Sequence, residues 1–438
     1  MSHRKIAEII FRHALEAVEP SKLVRNNLRL LDNTLHIAGE SVNLQTVSNI
    51  YVVGAGKAAA PMAQATEEIL GNRLTEGAVV TKYGHSRPLR RVQTTEAGHP
   101  LPDANGLAGT QKITKILAKT QPDDLVLLLL SGGGSALLAD VPPGCTLADL
   151  QACSDALLRS GADIAEMNTV RKHLSALKGG GLARLAAPAR TFALILSDVP
   201  GDRLDVIASG PTVPDPSTFA DAWGVLEKYH LTEKIPPSVQ RHLQAGLGGQ
   251  VSDTPKPNDP AFARVTNRLI GNNALALAAA REKAKEMGFS TEIIEEPMSG
   301  EARDFAKKLL KRAADLQQNP QVPKPCCLLA GGETTVTVRG TGLGGRNQEL
   351  ALAAAVMLVH QPGITLLSAG TDGTDGPTDA TGAVADAHTL PEAAALGLDT
   401  AAFLANNDAY HFFQRAGGHI VTGPTFTNVM DLAVVLVG

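Results

Sequence analysis

Short apolar runs that end in glycine, each followed by an alanine-rich stretch of helical period, constrain this chain more than any other feature. Ile50–Val53 leads into Gly54-Ala55-Gly56-Lys57 and then a helical stretch to Leu70. Leu125–Leu130 leads into Ser131-Gly132-Gly133-Gly134-Ser135, and Phe192–Leu196 leads into Ser197-Asp198 and Asp202. Runs of this length suit strands buried on both faces, and strands alternating with helices make parallel βαβ units. Aromatics are only 3% of residues, so the core must be Ala, Leu, Val and Ile, as in sheets covered by helices. A chain of 438 residues exceeds one ordinary core. The expected fold class is therefore α/β, in two domains.

The polar, aperiodic stretch Leu247–Pro260 reads as the linker, which puts the domains at 1–245 and 246–438. A second βαβ series is expected beyond it: Leu269-Ile270 opening a helix to Lys285, a strand Ser290–Ile294, a helix Glu301–Leu316, and strands at Cys327–Ala330, Thr334–Val338, Ile364–Leu367 and Leu432–Val437. Lys5–Ala17 reads as an amphipathic helix.

A net charge of −4 with no basic block argues against nucleic-acid binding. No stretch approaches the roughly 20 apolar residues that span a bilayer. The four cysteines show no C-x-x-C spacing, so neither a thiolate metal site nor a disulfide framework is expected, and reduced thiols in the cytoplasm are. The segments G-x-x-x-x-G-K-[ST], H-E-x-x-H and G-x-S-x-G are absent, which removes Walker-type nucleotide loops, zinc peptidases and serine hydrolases.

Ligands collect at the carboxyl ends of parallel strands, where glycine lets an anion approach bare peptide N–H groups. The Ser131–Ser135 loop and the segment Gly340–Arg346 before a helix Leu350–Leu358 are two such places. Gly54-Ala55-Gly56-Lys57-Ala58-Ala59 fits a loose dinucleotide fingerprint, but the next strand, Gly77–Thr81, ends in Lys82-Tyr83 and lacks the acid that grips a ribose. Lys57 puts a cation at the positive end of a helix, which is unfavourable unless an anion, or a structural carboxylate, lies there. Asn168–Gly181 reads as one helix capped by Asn168, with Arg171 and Lys178 on a shared face that either is solvated or opposes an anion. Lys172 is expected at a solvated surface and His173 in the packed core. Asp198 and Asp372 follow strands and are candidate Mg²⁺ ligands, or a base toward an attacking hydroxyl.

Together Val53–Ala58, Ala97–Asp103, Leu130–Leu137, Asn168–Ser175, Leu196–Asp202, Ala208–Thr212, Gly331–Val336, Gly344–Glu349 and Gly370–Asp379 resemble, in this order and over nearly the whole chain, the glycerate 2-kinase family, whose C-terminal part is known as the MOFRL domain. One departure is Thr381, where the family more often has Ala. The resemblance implies a Rossmann-like three-layer first domain, a distinct α/β second domain and a reaction in the cleft between them. It implies transfer of the γ-phosphoryl of ATP to the 2-hydroxyl of D-glycerate, with Mg²⁺, giving 2-phosphoglycerate and ADP, with a homodimer allowed. The family's essential lysine and arginine correspond to Lys57 and Arg346, and Asp198 is the first candidate for base or metal ligand, with Asp372 and Glu333 behind it. Gly54, Gly56, Ser131, Gly132, Gly133, Gly134 and Ser135 are then expected on substrate or nucleotide, as are Arg171, Lys178, Gly344, Gly345 and Asn347. Some relatives carry the label hydroxypyruvate reductase, which makes an NAD(P)H-dependent reductase the alternative.

Overall fold

The computed structural model describes all residues, Met1–Gly438. They form two compact units, Pro20–Ile270, and Met1–Glu19 together with Gly271–Gly438. The unit Pro20–Ile270 begins with a three-stranded antiparallel meander, β1 (Leu28–Leu31), β2 (Thr34–Ile37) and β3 (Glu40–Asn43). Its main sheet contains β4 (Ile50–Ala55), β5 (Glu76–Lys82), β6 (Val92–Ala97), β7 (Leu125–Leu130), β8 (Arg190–Leu196) and β9 (Val265–Gly271), in the order β6-β5-β4-β7-β8-β9. Neighbours from β6 to β8 are parallel. This is the doubly wound order of dinucleotide-binding sheets, in which the chain reverses direction across the sheet beside the first strand, here between β4 and β7. Every residue of β4 and β7 is buried, as the unbroken apolar run of Leu125–Leu130 requires. The helix Ala59–Leu70 joins β4 to β5 and the helix Ala104–Leu117 joins β6 to β7, the second capped by Asp103, which accepts the Gly106 N–H at 2.9 Å.

The other unit holds β10 (Ser290–Ile293), β11 (Cys326–Gly332), β12 (Ile364–Gly370), β13 (Gly382–Asp386), β14 (His419–Ile420) and β15 (Asp431–Val437), in the order β10-β11-β15-β12-β13-β14. Only β10 and β11 run parallel; each later pair is antiparallel. The expected second βαβ series is thus corrected. The C-terminal strand inserts between β11 and β12, and β9, expected to open the series, belongs to the first sheet. Thr334–Val338 is not a strand: it makes a single bridge, Thr335 to Glu301, and leaves Val338 exposed.

The two units differ from the expected 1–245 and 246–438 in two places. The stretch expected as a linker stays with Pro20–Ile270, because Asp215 N–H donates to the Pro255 carbonyl at 3.0 Å and His173 meets Asp253 at 2.9 Å before β9 joins the sheet. The N-terminal helix His3–Ala17 packs on the helix Asn273–Glu286 and on β12 and β15, burying Ile10 and Phe11 completely. Arg4 forks onto both oxygens of Asp386 at 2.6 Å each, and Thr427 donates to the Val18 carbonyl at 2.8 Å. No helix is long and apolar enough to cross a membrane.

Phe11→Ala is expected to cost about 3–5 kcal/mol. Limited proteolysis should then open new cleavage sites within 271–438 while 20–270 stays resistant; the reverse pattern would show that the first helix supports the other unit.

Candidate active site

The carboxyl ends of β4 and β7 diverge where the sheet order reverses, and the two glycine loops that follow them are laced together. Ser131 Oγ accepts the Ala58 N–H at 2.9 Å, Lys57 N–H donates to the Gly132 carbonyl at 2.9 Å, and Ser131 N–H donates to the Ala55 carbonyl at 3.2 Å. Gly56, at φ +138°, must be glycine, because a Cβ there would overlap Ser131 Oγ. Gly133 adopts φ +81°, and a Cβ on it would come within 2.8–2.9 Å of the His99 ring and 3.6 Å of Lys57 Cγ. The Lys57 stem and the His99 ring therefore flank a bare peptide. The N–H groups of Gly132, Gly133 and Ser135 have no partner within the chain, a concavity of the kind that binds phosphate oxygens. Ser135 Oγ lies 3.0 Å from Ser209 Oγ, which ties the loop to the Ala208–Thr212 segment. Asp198 lies half-buried on the loop after β8, the strand beside β7. At the end of β5, where a dinucleotide enzyme presents an acid, the buried Thr81 hydroxyl donates to the Gly56 carbonyl at 3.1 Å.

A cavity of about 300 Å³ opens beside this loop, reached by His99, Gly133, Ser135, Arg171 and Lys178 and walled by Leu147, Leu150 and Leu174. The two cations do not share one helix as expected. The helix runs Ile164–His173, opened by the reciprocal Asp163–Glu166 caps rather than by Asn168, which is buried inside it. It stops at Leu174, and Lys178 comes from the following loop, where its ammonium donates to the Leu138 carbonyl at 2.9 Å and lies 3.6 Å from Asp140. Arg171 has neither a hydrogen bond nor an ion pair, and burial pulls its guanidinium below its ordinary value. Burial likewise lowers Lys178, against the opposing pull of Asp140.

Lys172 is corrected: it is buried, not solvated, and pairs with the buried Asp215 at 3.3 Å, whose other oxygen accepts from Thr254 at 3.1 Å. A charge taken out of water needs such a partner. His173 is in the core as expected, with Nδ1 2.7 Å from the Thr169 carbonyl and its ring edge-on to Phe219.

In the other unit Arg346 opens the helix Arg346–Leu358. Nε and Nη2 bond the two oxygens of the fully buried Asp431 at 2.6 and 3.0 Å, and Nη1 reaches Glu333 at 2.7 Å. Burial opposes its charge, but Asp431 outweighs burial and holds the guanidinium above its already high ordinary value. Asp375 caps the same helix, accepting the Asn347 and Gln348 N–H groups at 3.0 and 2.8 Å. The Asn347 side chain, expected on a ligand, is buried between Asp375 at 3.2 Å and Ser368 at 2.7 Å and serves the helix start instead. The first part of the Gly340 loop, as far as Leu343, does not present bare amides. The N–H groups of Arg339 and Gly340 bond the Asn407 side chain, that of Thr341 the Asn406 side chain, and that of Leu343 Asp408. Gly344 and Gly345 complete that turn, and a Cβ at Gly345 would overlap Asp375. Asp372 accepts from Thr374 N–H at 3.2 Å. Thr381, the departure from the family pattern, uses its buried hydroxyl to donate to the Gly370 carbonyl at 2.5 Å.

Sequence reasoning missed Asp431, Asp375 as a cap, and His99 over Gly133. The one signal for Asp431 was its place as the lone carboxylate before the apolar run Leu432–Val437.

A family model described as a domain of unknown function matches residues 6–244, and the MOFRL family model matches 326–431. The chain is 43% identical to D-glycerate 2-kinase of Thermotoga maritima over 100% of this chain and 99% of that protein. It is 40% identical to glycerate 2-kinase of Pyrococcus horikoshii over 100% of this chain and 98% of that one. A crystal structure of glycerate kinase from Thermotoga maritima superposes with a TM-score of 0.88 at 42% identity, covering 99% of each chain.

Burial pushes the Asp375 carboxyl up to about 6, helped by the field of Asp431 and resisted by the Gln348 and Asn347 amides. A folded value above the ordinary 3.8 means that the folded chain holds this proton more tightly than the unfolded chain. The stabilisation that goes with protonation is full below the ordinary value and is lost as pH climbs through about 6. The urea midpoint of wild type should therefore fall relative to that of Asp375→Asn as pH rises across that window, and a constant difference would show that Asp375 does not titrate there.

Proposed function

The chain belongs to the glycerate kinase family, and we propose that it transfers the γ-phosphoryl of ATP to the 2-hydroxyl of D-glycerate, giving 2-phosphoglycerate and ADP. The observation that carries this reading is the bare-amide loop Gly132–Ser135 at the reversal point of the parallel sheet, flanked by Lys57. Phosphoryl transfer is catalysed mainly by positioning and charge neutralisation, which such a loop and lysine supply without covalent chemistry. The Gly132, Gly133 and Ser135 amides would cradle phosphate oxygens, and Lys57 would neutralise charge developing on the transferring group. Asp198 would accept the proton of the attacking hydroxyl or hold metal. Arg346 is read as the second catalytic cation: buried Asp431 fixes its plane, and half-exposed Glu333 is the partner that an anionic substrate would displace.

No group of three or more His, Cys, Asp or Glu side chains is assembled to hold a metal ion. That donor set suits Mg²⁺ arriving on the nucleotide, with phosphates and one or two carboxylates as ligands; Asp198 and Asp372 are the carboxylates offered for it. The metal would supply charge neutralisation at the β- and γ-oxygens. The reductase alternative finds no ribose-gripping acid at the end of β5, where Thr81 is bonded inward.

With D-glycerate and Mg-ATP, the chain should release ADP and make a product that enolase accepts, whereas NADH absorbance should stay constant with hydroxypyruvate. A product that enolase refuses would move the phosphate to the 3-hydroxyl, and NADH loss would favour reduction. Arg346→Lys keeps charge but loses the fork onto Asp431, so kcat/KM should fall by about tenfold or more. A folded Arg346→Lys enzyme of undiminished kcat/KM would remove Arg346 from the mechanism.

A further inference from the structure

Lys57 stands just outside the helix that follows it. The carbonyl of Ala58 accepts the first helical N–H, that of Met62, at 3.1 Å. The helix cannot reach back one residue further, because the N–H that the Lys57 carbonyl would then accept belongs to position 61, a proline. That carbonyl is met instead from the turn after β5, where His85 Nδ1 lies 3.1 Å from it. A carbonyl only accepts, so Nδ1 carries a proton and donates it. Thr81 Oγ1 lies 3.4 Å from the same oxygen, but its single proton is nearer the Gly56 carbonyl, at 3.1 Å. The turn that delivers His85 is itself pinned. Gly84 adopts φ +77°, and His85 N–H donates to the Lys82 carbonyl at 3.0 Å. Glu96 Oε1, near the end of β6, accepts the Gly84 and Ser86 N–H groups at 2.8 and 3.1 Å.

We propose that His85 is a positioning residue for Lys57: its Nδ1–H holds the Lys57 carbonyl and so fixes the point from which the lysine stem leaves the backbone. The proposal rests on reading the chain as a kinase with Lys57 as a catalytic cation. Lys57 N–H is held by the Gly132 carbonyl at 2.9 Å, and the following Ala58 N–H by Ser131 Oγ at 2.9 Å. With His85 in place, both peptide groups that flank the Lys57 Cα are anchored, and only the stem is left to move. A dinucleotide enzyme ends this strand in an acid that grips a ribose. Here the end of β5 holds the lysine-bearing turn instead, through Thr81 and His85. Lys57 is read as meeting charge that develops during transfer, so its misplacement should lower kcat more than it raises KM. A shift of about 1 Å in a catalytic group can cost on the order of 10²-fold in rate.

The test uses the full chain and substitutes this half-buried position in three ways. His85→Asn keeps a donor N–H close to the place of Nδ1, His85→Gln carries its amide one methylene farther, and His85→Leu has no donor. With Mg-ATP and D-glycerate, kcat of the Leu and Gln variants should fall by about tenfold or more, with each KM within about threefold of wild type. His85→Asn should recover most of the lost kcat. Hydrogen exchange of the 54–62 segment, read by mass spectrometry, needs no turnover. Its amides should exchange faster in the Leu and Gln variants than in wild type or His85→Asn. A role in folding alone would not separate Asn from Gln, so that pair decides the matter even if His85→Leu fails to fold. Equal kcat in the Asn and Gln variants would overturn the proposal, as would a change confined to KM. If wild type forms no phosphorylated glycerate but exchange follows the expected order, the His85 anchor stands and the kinase reading falls. If wild type phosphorylates glycerate while kcat and exchange are indifferent to position 85, the kinase reading stands and the anchor falls.

Discussion

The close approach of two turns, Gly54–Lys57 after β4 and Ser131–Gly134 after β7, is the constraint on which the candidate chemistry depends. Adjacent parallel strands are joined by hydrogen bonds along their length, but at their carboxyl ends the chains leave in opposite directions and their peptide groups lose those partners. The protein satisfies some of them locally: the Ser131 hydroxyl takes the Ala58 N–H and the Gly132 carbonyl takes the Lys57 N–H. Around the left-handed Gly133 the amides of Gly132, Gly133 and Ser135 are left without partners in the chain. Rigid support under unsatisfied donors is what allows an anion to bind without first ordering the loop. A larger residue at position 56 or 133 would break that support sterically, whatever its polarity.

Arg346 shows the complementary arrangement. Its side chain is held at two of its three nitrogens by a single buried carboxylate, so its orientation is settled before any ligand arrives. Three carboxylates, Asp431, Glu333 and Asp375, contribute to its field. A guanidinium in that setting offers direction more than net positive charge. Only Glu333 among its direct partners is appreciably exposed, at 46%, so any exchange of partners must take place there. Lys57, on a flexible stem across a glycine, has the opposite character: it can follow a phosphate as it moves.

The parallel sheet was legible because each of its central strands is a continuous apolar run that ends in glycine, and both signals lie within ten residues of one another. The second sheet was not, because antiparallel insertion of β15 between β11 and β12 is decided by packing among segments far apart in sequence, and Asp431–Val437 looks the same locally whichever neighbours it takes. Buried ion pairs were illegible for the same reason. Lys172 reads as surface until Asp215, 43 residues on, is seen beside it, and Arg346 reads as a free cation until Asp431, 85 residues on, is seen to hold it. Gly340 and Gly342 misled in the other direction: glycines that read as an opening for phosphate are there so that backbone can press against Asn406 and Asp408. A glycine turn shows that something comes close; whether that is a ligand or the chain itself depends on partners the local sequence does not name.

Arg171 separates these cases. It lies on a helix whose caps, Asp163 and Glu166, are local and whose two following residues, Lys172 and His173, each find a long-range partner at 3.3 and 2.9 Å. Folding has thus supplied a partner for each of the cationic or potentially cationic groups beside it and none for Arg171. Had the helix been positioned only to pack, a leucine or glutamine at 171 would have avoided desolvating a charge. An unpaired guanidinium at the rim of an apolar cavity is therefore the feature that packing alone does not account for, and a ligand carrying both an anion and an apolar face accounts for the cation and the cavity together.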